Sequence, residues 1–331
     1  MKPAATRAEP NAALLLGMLC VAAALVFLLS LAIGPVGLGR GLPGEAGALI
    51  FREIRLPRAV LGALVGASLG VSGAALQGYL RNPLAEPSLV GVSGGAALGA
   101  VLTIHLGLSA AFALTLPLGA LLGAAVAMLA VVALAGNHGG PVTLILAGLA
   151  VSSIATALVS LALNVSQNPF ATVEMVFWLM GSLADRSLPQ VWLAAPFMLV
   201  GIGLLLLLGR ALDALTLGED AARSLGIDVG RTRAMVVTGT ALSVGAATAV
   251  TGIIGFVGLI VPHALRPFTG HRPGLLLPAS MLGGAIMLLL ADVALRLVQP
   301  WVELRIGVLT ALLGAPFFVW LVLKTRSELA P

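Results

Sequence analysis

Charged residues are scarce in this chain of 331 residues: they make up 9%, against 59% apolar residues and a mean hydropathy of +1.10. A soluble domain carries about 25% charged residues, so the polar surface here is too small to cover a globule in water. Transmembrane β-barrels show short alternating segments, whereas this chain has long runs of Leu, Ala, Val and Gly. The composition predicts an all-α polytopic membrane protein with one transmembrane domain over residues 1–331.

Residues for covalent or metal chemistry are also few. The one cysteine, Cys20, excludes an intramolecular disulfide and a cysteine-based metal cluster. No His-Glu-x-x-His motif occurs, and the scattered histidines suggest no zinc site. The P-loop motif is missing as well, and the only lysines are Lys2 and Lys324. We therefore expect no enzyme activity, no metal and no cofactor bound by this chain, which cannot hydrolyse ATP with a P-loop of its own.

Two partner classes are disfavoured by the distribution of charge. The net charge is +5, but the 18 Lys and Arg residues are dispersed in short loops without a basic stripe, so we expect no nucleic-acid partner. Carboxylates near the membrane midplane, which proton-coupled carriers use, are scarce. Asp292 and Arg296 are spaced i,i+4 and predict a helix-surface pair. This scarcity argues against an ATP-independent secondary transporter or channel, without excluding that class.

Stretches without formal charge predict ten transmembrane helices, because a span needs about 20 apolar residues. The first is interpreted as a retained helix, since its apolar run is longer than that of a signal peptide. The eighth segment is the shortest. The segments are 12–34, 59–80, 88–105, 109–135, 141–163, 188–209, 233–252, 256–266, 273–297 and 306–323.

Ten spans with both termini in the cytoplasm place eleven Lys and Arg residues inside and seven outside, the sign that the positive-inside rule predicts. The outside group includes Arg55 and Arg58 at the start of the second span. These arginines either anchor a helix start at the headgroups or form a cationic patch that docks an acidic soluble partner.

Two cytoplasmic segments interrupt the apolar pattern. The first, QGYLRNPLAEP at 77–87, leaves backbone groups that must face protein or a watery cavity; it lines the inner end of a pathway or is an ordinary capped turn. The second, LGEDAARSLGID at 217–228, has acids first, Arg223 later and Gly226 as a stop. It predicts a short amphipathic helix within the loop 210–233, resting on another protein or solvated.

Taken together, these strings resemble the FecCD family of ABC-importer permeases, which includes vitamin B12, haem and iron-siderophore importers. The matching strings follow the family's order across nearly the whole chain. They are RLPR at 55–58, SGAALQ at 72–77, RNPLAEP at 81–87, LGEDAARSLG at 217–226, GFVGLIVPH at 255–263 and GAPFF at 314–318.

The resemblance implies a type II ABC importer fold of the B12-permease kind, in the bacterial inner membrane among lipid. It further implies a homodimer, two ATP-binding cassette subunits that use ATP and Mg, and a periplasmic or extracellular substrate-binding protein. The cargo would be an iron chelate (siderophore or haem) or cobalamin, and the family does not separate these. ATPase coupling would use Gly218, Glu219, Ala222, Leu225 and Gly226.

The docking role carries over to Arg55, Arg58 and Arg296, and the cytoplasmic gate to Asn82 and Leu84. A second gate would lie at Gly140, Pro141 and Val142, where relatives can carry small hydroxyl residues, so a hydroxyl-lined constriction is not expected here. A second departure is Arg305, where the family usually has proline. This extra external charge either widens the docking patch or contacts lipid headgroups.

Overall fold

The computed structural model describes residues 11–34, 37–38, 45–136, 140–298 and 304–329, and it is almost entirely helical. The helices are α1 (Ala12–Ala32), α2 (Glu45–Ile50), α3 (Leu56–Tyr79), α4 (Val92–His105), α5 (Thr115–Ala135), α6 (Pro141–Val165), α7 (Pro169–Leu179), α8 (Leu188–Leu206), α9 (Gly209–Leu215), α10 (Glu219–Ser224), α11 (Val229–Thr251), α12 (Val257–Leu265), α13 (Pro273–Val298) and α14 (Ile306–Leu329). A π-helical turn, Phe51–Arg55, joins α2 to α3.

Extended structure among the described residues is limited to one antiparallel ribbon after α1. Strand β1 (Ile33–Gly34) pairs with β2 (Gly37–Leu38), with Ile33 opposite Leu38. The ribbon ends the first helix just where its last carbonyl oxygens need partners.

Each predicted span corresponds to a helix, but the count of ten crossings is not confirmed. In the described ranges, eight helices are long and apolar enough to cross a membrane. The third and eighth predicted segments form α4, with 14 residues, and α12, with 9, and both fall below that length. Gly91, which precedes α4, and Phe256, which precedes α12, both have positive φ. The turns at these two residues shorten both segments.

The centre of the molecule is α3, in which most residues are buried. It packs along α13, and glycines allow the two backbones to approach. A methyl group at Gly66 would overlap the carbonyl of Gly284, and one at Gly73 would overlap that of Gly258 in α12. Small residues therefore allow close backbone packing at Gly66, as expected for membrane helices.

Candidate functional site

The three predicted docking arginines converge where α1 ends, α3 begins and α13 ends. Arg58 donates to the Asp292 carboxylate from Nε, at 2.9 and 3.1 Å, and from Nη2, at 2.8 Å. Arg296 Nη2 lies 2.7 Å from Oδ2 of the same carboxylate. The predicted Asp292–Arg296 pair is therefore present, but it is buried rather than on the helix surface, and one carboxylate serves two guanidinium groups.

The remaining donors of this cluster close the end of α1. Arg296 Nη1 donates to the carbonyl oxygens of Ser30, at 2.7 Å, and Ile33, at 2.6 Å. Arg55 Nη1 lies 3.3 Å from the carbonyl oxygen of Leu31. Arg296 is 3% exposed, and Arg55 and Arg58 are half-buried. These arginines hold three helices together, and Arg55 and Arg58 retain a surface at this end.

A cavity of about 580 Å³ opens beside Arg58 and is lined by two further arginines, Arg186 and Arg305. Burial is the largest influence on Arg186 and lowers its guanidinium pKa, and the charge of Arg305 lowers it further. Arg305 lies over the Phe177 ring at 4.9 Å and contacts Ser182 Oγ at 3.5 Å. The sequence singled out Arg305 but not Arg186, which only the fold brings to the same cavity.

The predicted amphipathic helix in the loop 210–233 is α10. Gly218, with φ +99°, precedes it, and Gly226, with φ +81°, follows it. The N–H of Ile227 donates to the carbonyl of Ala222 at 3.0 Å, and that of Gly226 to Arg223 at 2.9 Å, which is the glycine-dependent end of a helix.

The two faces of α10 differ. Ala222 is fully buried, whereas Leu217 and Leu225, just outside the helix, are 68% and 64% exposed. Arg223 pairs with Glu219 and Asp220 at 3.1 Å on the exposed side. The loop thus offers two apolar side chains flanking a charged turn, an arrangement suited to a groove on another protein.

A cavity of about 360 Å³ connects this loop with the predicted second gate, since Gly140, Pro141 and Glu219 line it together with Tyr79 and Arg233. Arg233 Nη2 also donates to the carbonyl oxygen of Gly136 at the end of α5. The sequence analysis did not identify Tyr79 and Arg233 as site residues. The available signal was the position of Arg233 near the start of α11, the helix that follows the loop.

The predicted first gate lies in a tightly bonded turn. Asn82 Oδ1 accepts the N–H of Leu84 at 2.9 Å, so that the side chain fixes the turn. Gln77 Nε2 donates to the carbonyl oxygens of Ala85 and Gly258, both at 3.3 Å. Asn82 is exposed and Leu84 half-buried.

Glu86 fixes the other end of this turn to α12. Its Oε1 accepts the N–H of Phe256 at 2.5 Å, and Arg266 Nη2 donates to the Oε1 of Gln77. Burial raises the pKa of the Glu86 carboxyl above its ordinary value, although the Phe256 N–H opposes this shift. A movement of α12 would therefore be transmitted to the turn that holds Asn82 and Leu84.

The second gate residues begin α6. Gly140 has extended backbone and precedes Pro141, which occupies the first helical turn, where its missing N–H is no loss. Val142 is 68% exposed. Asn82 and Leu84 do not line the cavity beside Gly140, so the structure does not join the two predicted gates. Among the described residues, no three His, Cys, Asp or Glu side chains group closely enough to hold a metal.

Known proteins resemble this chain in sequence and in fold. Residues 14–324 match the FecCD transport family. The uncharacterized ABC transporter permease YvrB of Bacillus subtilis is 42% identical over 280 residues, covering 83% of this chain and 79% of the relative. The cobalamin import permease BtuC of Halobacterium salinarum is 42% identical over 283 residues, covering 85% of this chain and 75% of the relative.

Two further matches agree. The vitamin B12 import permease BtuC of Salmonella typhimurium is 42% identical over 281 residues, covering 84% of this chain and 85% of the relative. A solved structure, described as an inward-facing conformation of an ABC transporter assigned to the metal-chelate type, has a TM-score of 0.84 and 34% identity, covering 93% of this chain and 98% of that one. The chain therefore belongs to the FecCD transport family and is a permease subunit of the ABC-importer type.

Proposed function

We propose that the chain is the permease of an ATP-driven importer that carries an iron chelate (siderophore or haem) or cobalamin across the bacterial inner membrane by alternating access. Both termini would lie in the cytoplasm. The names of the BtuC relatives and of the metal-chelate transporter support this cargo class. The chain would perform no covalent chemistry.

The observation that carries the proposal is the α10 loop. A six-residue helix held between two glycines exposes Leu217 and Leu225 and buries only Ala222 against the permease. Exposed leucines around a charged turn favour a protein partner over water. We assign this surface to an ATP-binding cassette subunit, which would bind ATP and Mg, with Gly218 and Gly226 setting the shape of the helix.

Motion of α10 would reach the translocation path through the cavity that Glu219 shares with Gly140 and Pro141. Arg233 strengthens this connection, because α11 follows the loop directly and its Arg233 donates to Gly136 at the end of α5. When two ATPase subunits close on ATP, α10 would move with them and shift the start of α6, where Val142 is exposed. Asn82 and Leu84 would respond through α12 and Glu86.

The complete transporter would be a homodimer of this chain with two ATPase subunits and a substrate-binding protein outside. An apolar cavity of about 610 Å³ between the end of α7, the segment 253–256 before α12 and α14 supports a path for bulky cargo with little polar selection. Specificity would then reside mainly in the binding protein.

Docking of that binding protein is assigned to the arginine end, Arg55, Arg58 and Arg296. Arg58 and Arg296 also hold Asp292, so their removal would disturb the fold. The cleaner test neutralises Arg55, as Arg55→Gln, and measures the affinity of the permease complex for its binding protein at several salt concentrations. We expect weaker docking and a smaller salt dependence. The matched control is Arg231→Gln, near α10; equal docking by wild type and Arg55→Gln would remove Arg55 from the site.

The class of transporter is tested by gentle purification of the tagged chain and mass spectrometry of its stoichiometric companions. A P-loop ATPase present at one copy per permease is expected. Its reproducible absence, with the permease still folded, would favour an ATP-independent secondary transporter or channel instead.

A further inference from the structure

A cavity of about 1120 Å³ lies between the first turns of α1 and α13, the end of α8 and the start of α9. In the proposed topology all four of these helix ends face the cytoplasm. None of the residues that line the cavity lies in α10, in the predicted gates or in the arginine cluster around Asp292. None of the roles assigned above uses it.

Its polar side is cationic. Arg210, His271 and Arg272 line the cavity and are exposed. In the described part of the chain, neither arginine side chain has an ion-pair partner. The lining holds a single carboxylate, Asp213, whose Oδ1 accepts the N–H of Gly274 at 2.7 Å, and its one negative charge does not balance two guanidinium groups. Two guanidinium groups therefore face the cavity with no anion committed to them.

The opposite side is apolar and continues onto the outer surface of the helices. Leu16, Leu207, Phe268 and Leu275 line it, and Leu207 and Phe268 are 74% and 61% exposed. Exposed apolar side chains are stable on a membrane protein where they meet acyl chains. The cavity thus has a charged mouth at the predicted cytoplasmic interface and an apolar wall that leads toward the bilayer.

We propose that this cavity binds one anionic phospholipid of the cytoplasmic leaflet, with its phosphate at Arg210 and Arg272 and an acyl chain along Leu207 and Phe268. Basic pockets between transmembrane helices at this level suit anionic headgroups. Phosphate alone would use only the cationic side and leave the apolar wall empty. The segment 1–10 before α1 carries Lys2 and Arg7 against Glu9, so its charge does not complement the cavity.

The test uses the full-length chain, purified with its companion subunits, in nanodiscs of phosphatidylethanolamine with a minor share of phosphatidylglycerol. After transfer to mild detergent, native mass spectrometry counts the retained lipids. We expect one phosphatidylglycerol per chain in excess of its bulk share. Arg210→Gln with Arg272→Gln should weaken retention about 25-fold, since each surface charge near an anionic lipid is worth about fivefold.

Two further variants separate the sources of the phosphate. Ala12→Trp, which crowds the cavity from α1 and leaves both arginines in place, should reduce lipid retention but not the binding of inorganic phosphate. Arg231→Gln, a cytoplasmic charge outside the cavity, should retain lipid like the wild type. The proposal is overturned by equal retention in the double arginine variant, by no preference for phosphatidylglycerol, or by full displacement of the lipid by inorganic phosphate. Lipid retention needs neither cargo nor ATP, so failure of the importer assignment would not produce any of these results.

Discussion

The two ends of α3 each carry acid–arginine pairs, and they differ in burial. Near Arg58, the Asp292 side chain is 1% exposed and receives two guanidinium groups. Near Tyr79, the α10 pair uses Asp220, whose side chain is fully exposed, with Arg223. The pairs are chemically alike, but water screens only the second. The pairs at Asp292 hold three helices together, whereas the pair between Asp220 and Arg223 lies on the surface of a loop.

Because of this difference, the end around Asp292 is rigid, whereas the α10 end offers a surface to a partner. At the end around Asp292, Arg58 and Arg296 donate to carboxylate, carbonyl and hydroxyl oxygens of neighbouring helices, so this end is a fixed platform on which Arg55 and the neighbouring cavity present positive charge. The hydrogen bonds and ion pairs described above for α10 lie within its own segment, and the loop exposes Leu217 and Leu225. The second arrangement suits the proposed contact with an ATPase, because bonds that stay within α10 do not resist movement of the segment as a unit.

Removal of the buried carboxylate, as Asp292→Ala, should have the largest effect on stability. The buried guanidinium of Arg296 and the half-buried one of Arg58 would lose their counter-charge, and breaking a buried pair costs about 3–5 kcal/mol. We expect a strong fall in the unfolding midpoint in detergent, measured by heating and the loss of monodisperse protein.

The same change at the other end, Asp220→Ala, is the matched control. An exposed pair contributes about 0–1 kcal/mol, so its midpoint should stay close to that of the wild type. Equal losses in Asp292→Ala and Asp220→Ala would contradict the distinction between the two ends.

Gly226→Ala tests how firmly the α10 end is shaped. The left-handed backbone at φ +81° would be strained by a β-carbon, at about 1–2 kcal/mol. We expect a local loss of protection in hydrogen exchange at α10, while α3 remains protected. Gly203→Ala in α8, where a methyl group meets nothing within 4 Å, should be neutral or slightly stabilising; comparable loosening in both variants would count against the strain.

The Asp292 carboxylate pairs with Arg58, whereas burial raises the pKa of the Glu86 carboxyl. Its raised pKa means that the folded protein favours the protonated acid. The contribution of Glu86 to folding stability is therefore fully present below the ordinary carboxyl pKa and is lost as pH rises through the raised pKa. Stability of Glu86→Gln relative to wild type should therefore increase with pH, measured as the difference in thermal midpoint from pH 4 to 8. A difference that is constant with pH would refute the shift.

Leu225→Gln should change stability least and transport most. The side chain is 64% exposed, so its folded contacts are few. We expect an unchanged unfolding midpoint and a loss of cargo uptake in vesicles that hold the reconstituted transporter. Leu106→Gln, 65% exposed at the opposite end of the molecule, should transport normally. Normal uptake by Leu225→Gln would remove the coupling role.

Local sequence predicted several features correctly because short-range physics fixes them. Gly226 ends α10 since only glycine adopts that φ cheaply, and Pro141 begins α6 since it lacks the N–H that an interior position needs. The count of ten spans is not confirmed at α4 and α12, because hydropathy gives the length of an apolar run and not the point where a turn such as that at Phe256 interrupts it.

Composition and residue spacing were sufficient to predict the membrane environment, the family and the glycine-bounded helix of the loop, because these features arise within single segments. The tertiary structure alone decided that Arg58, 234 positions before Asp292, shares this carboxylate with Arg296. It also decided that Arg186 joins Arg305 and that Arg210 joins Arg272 around cavities. Such pairings depend on how helices pack, and packing brings together residues whose distance along the chain carries no information about their distance in space.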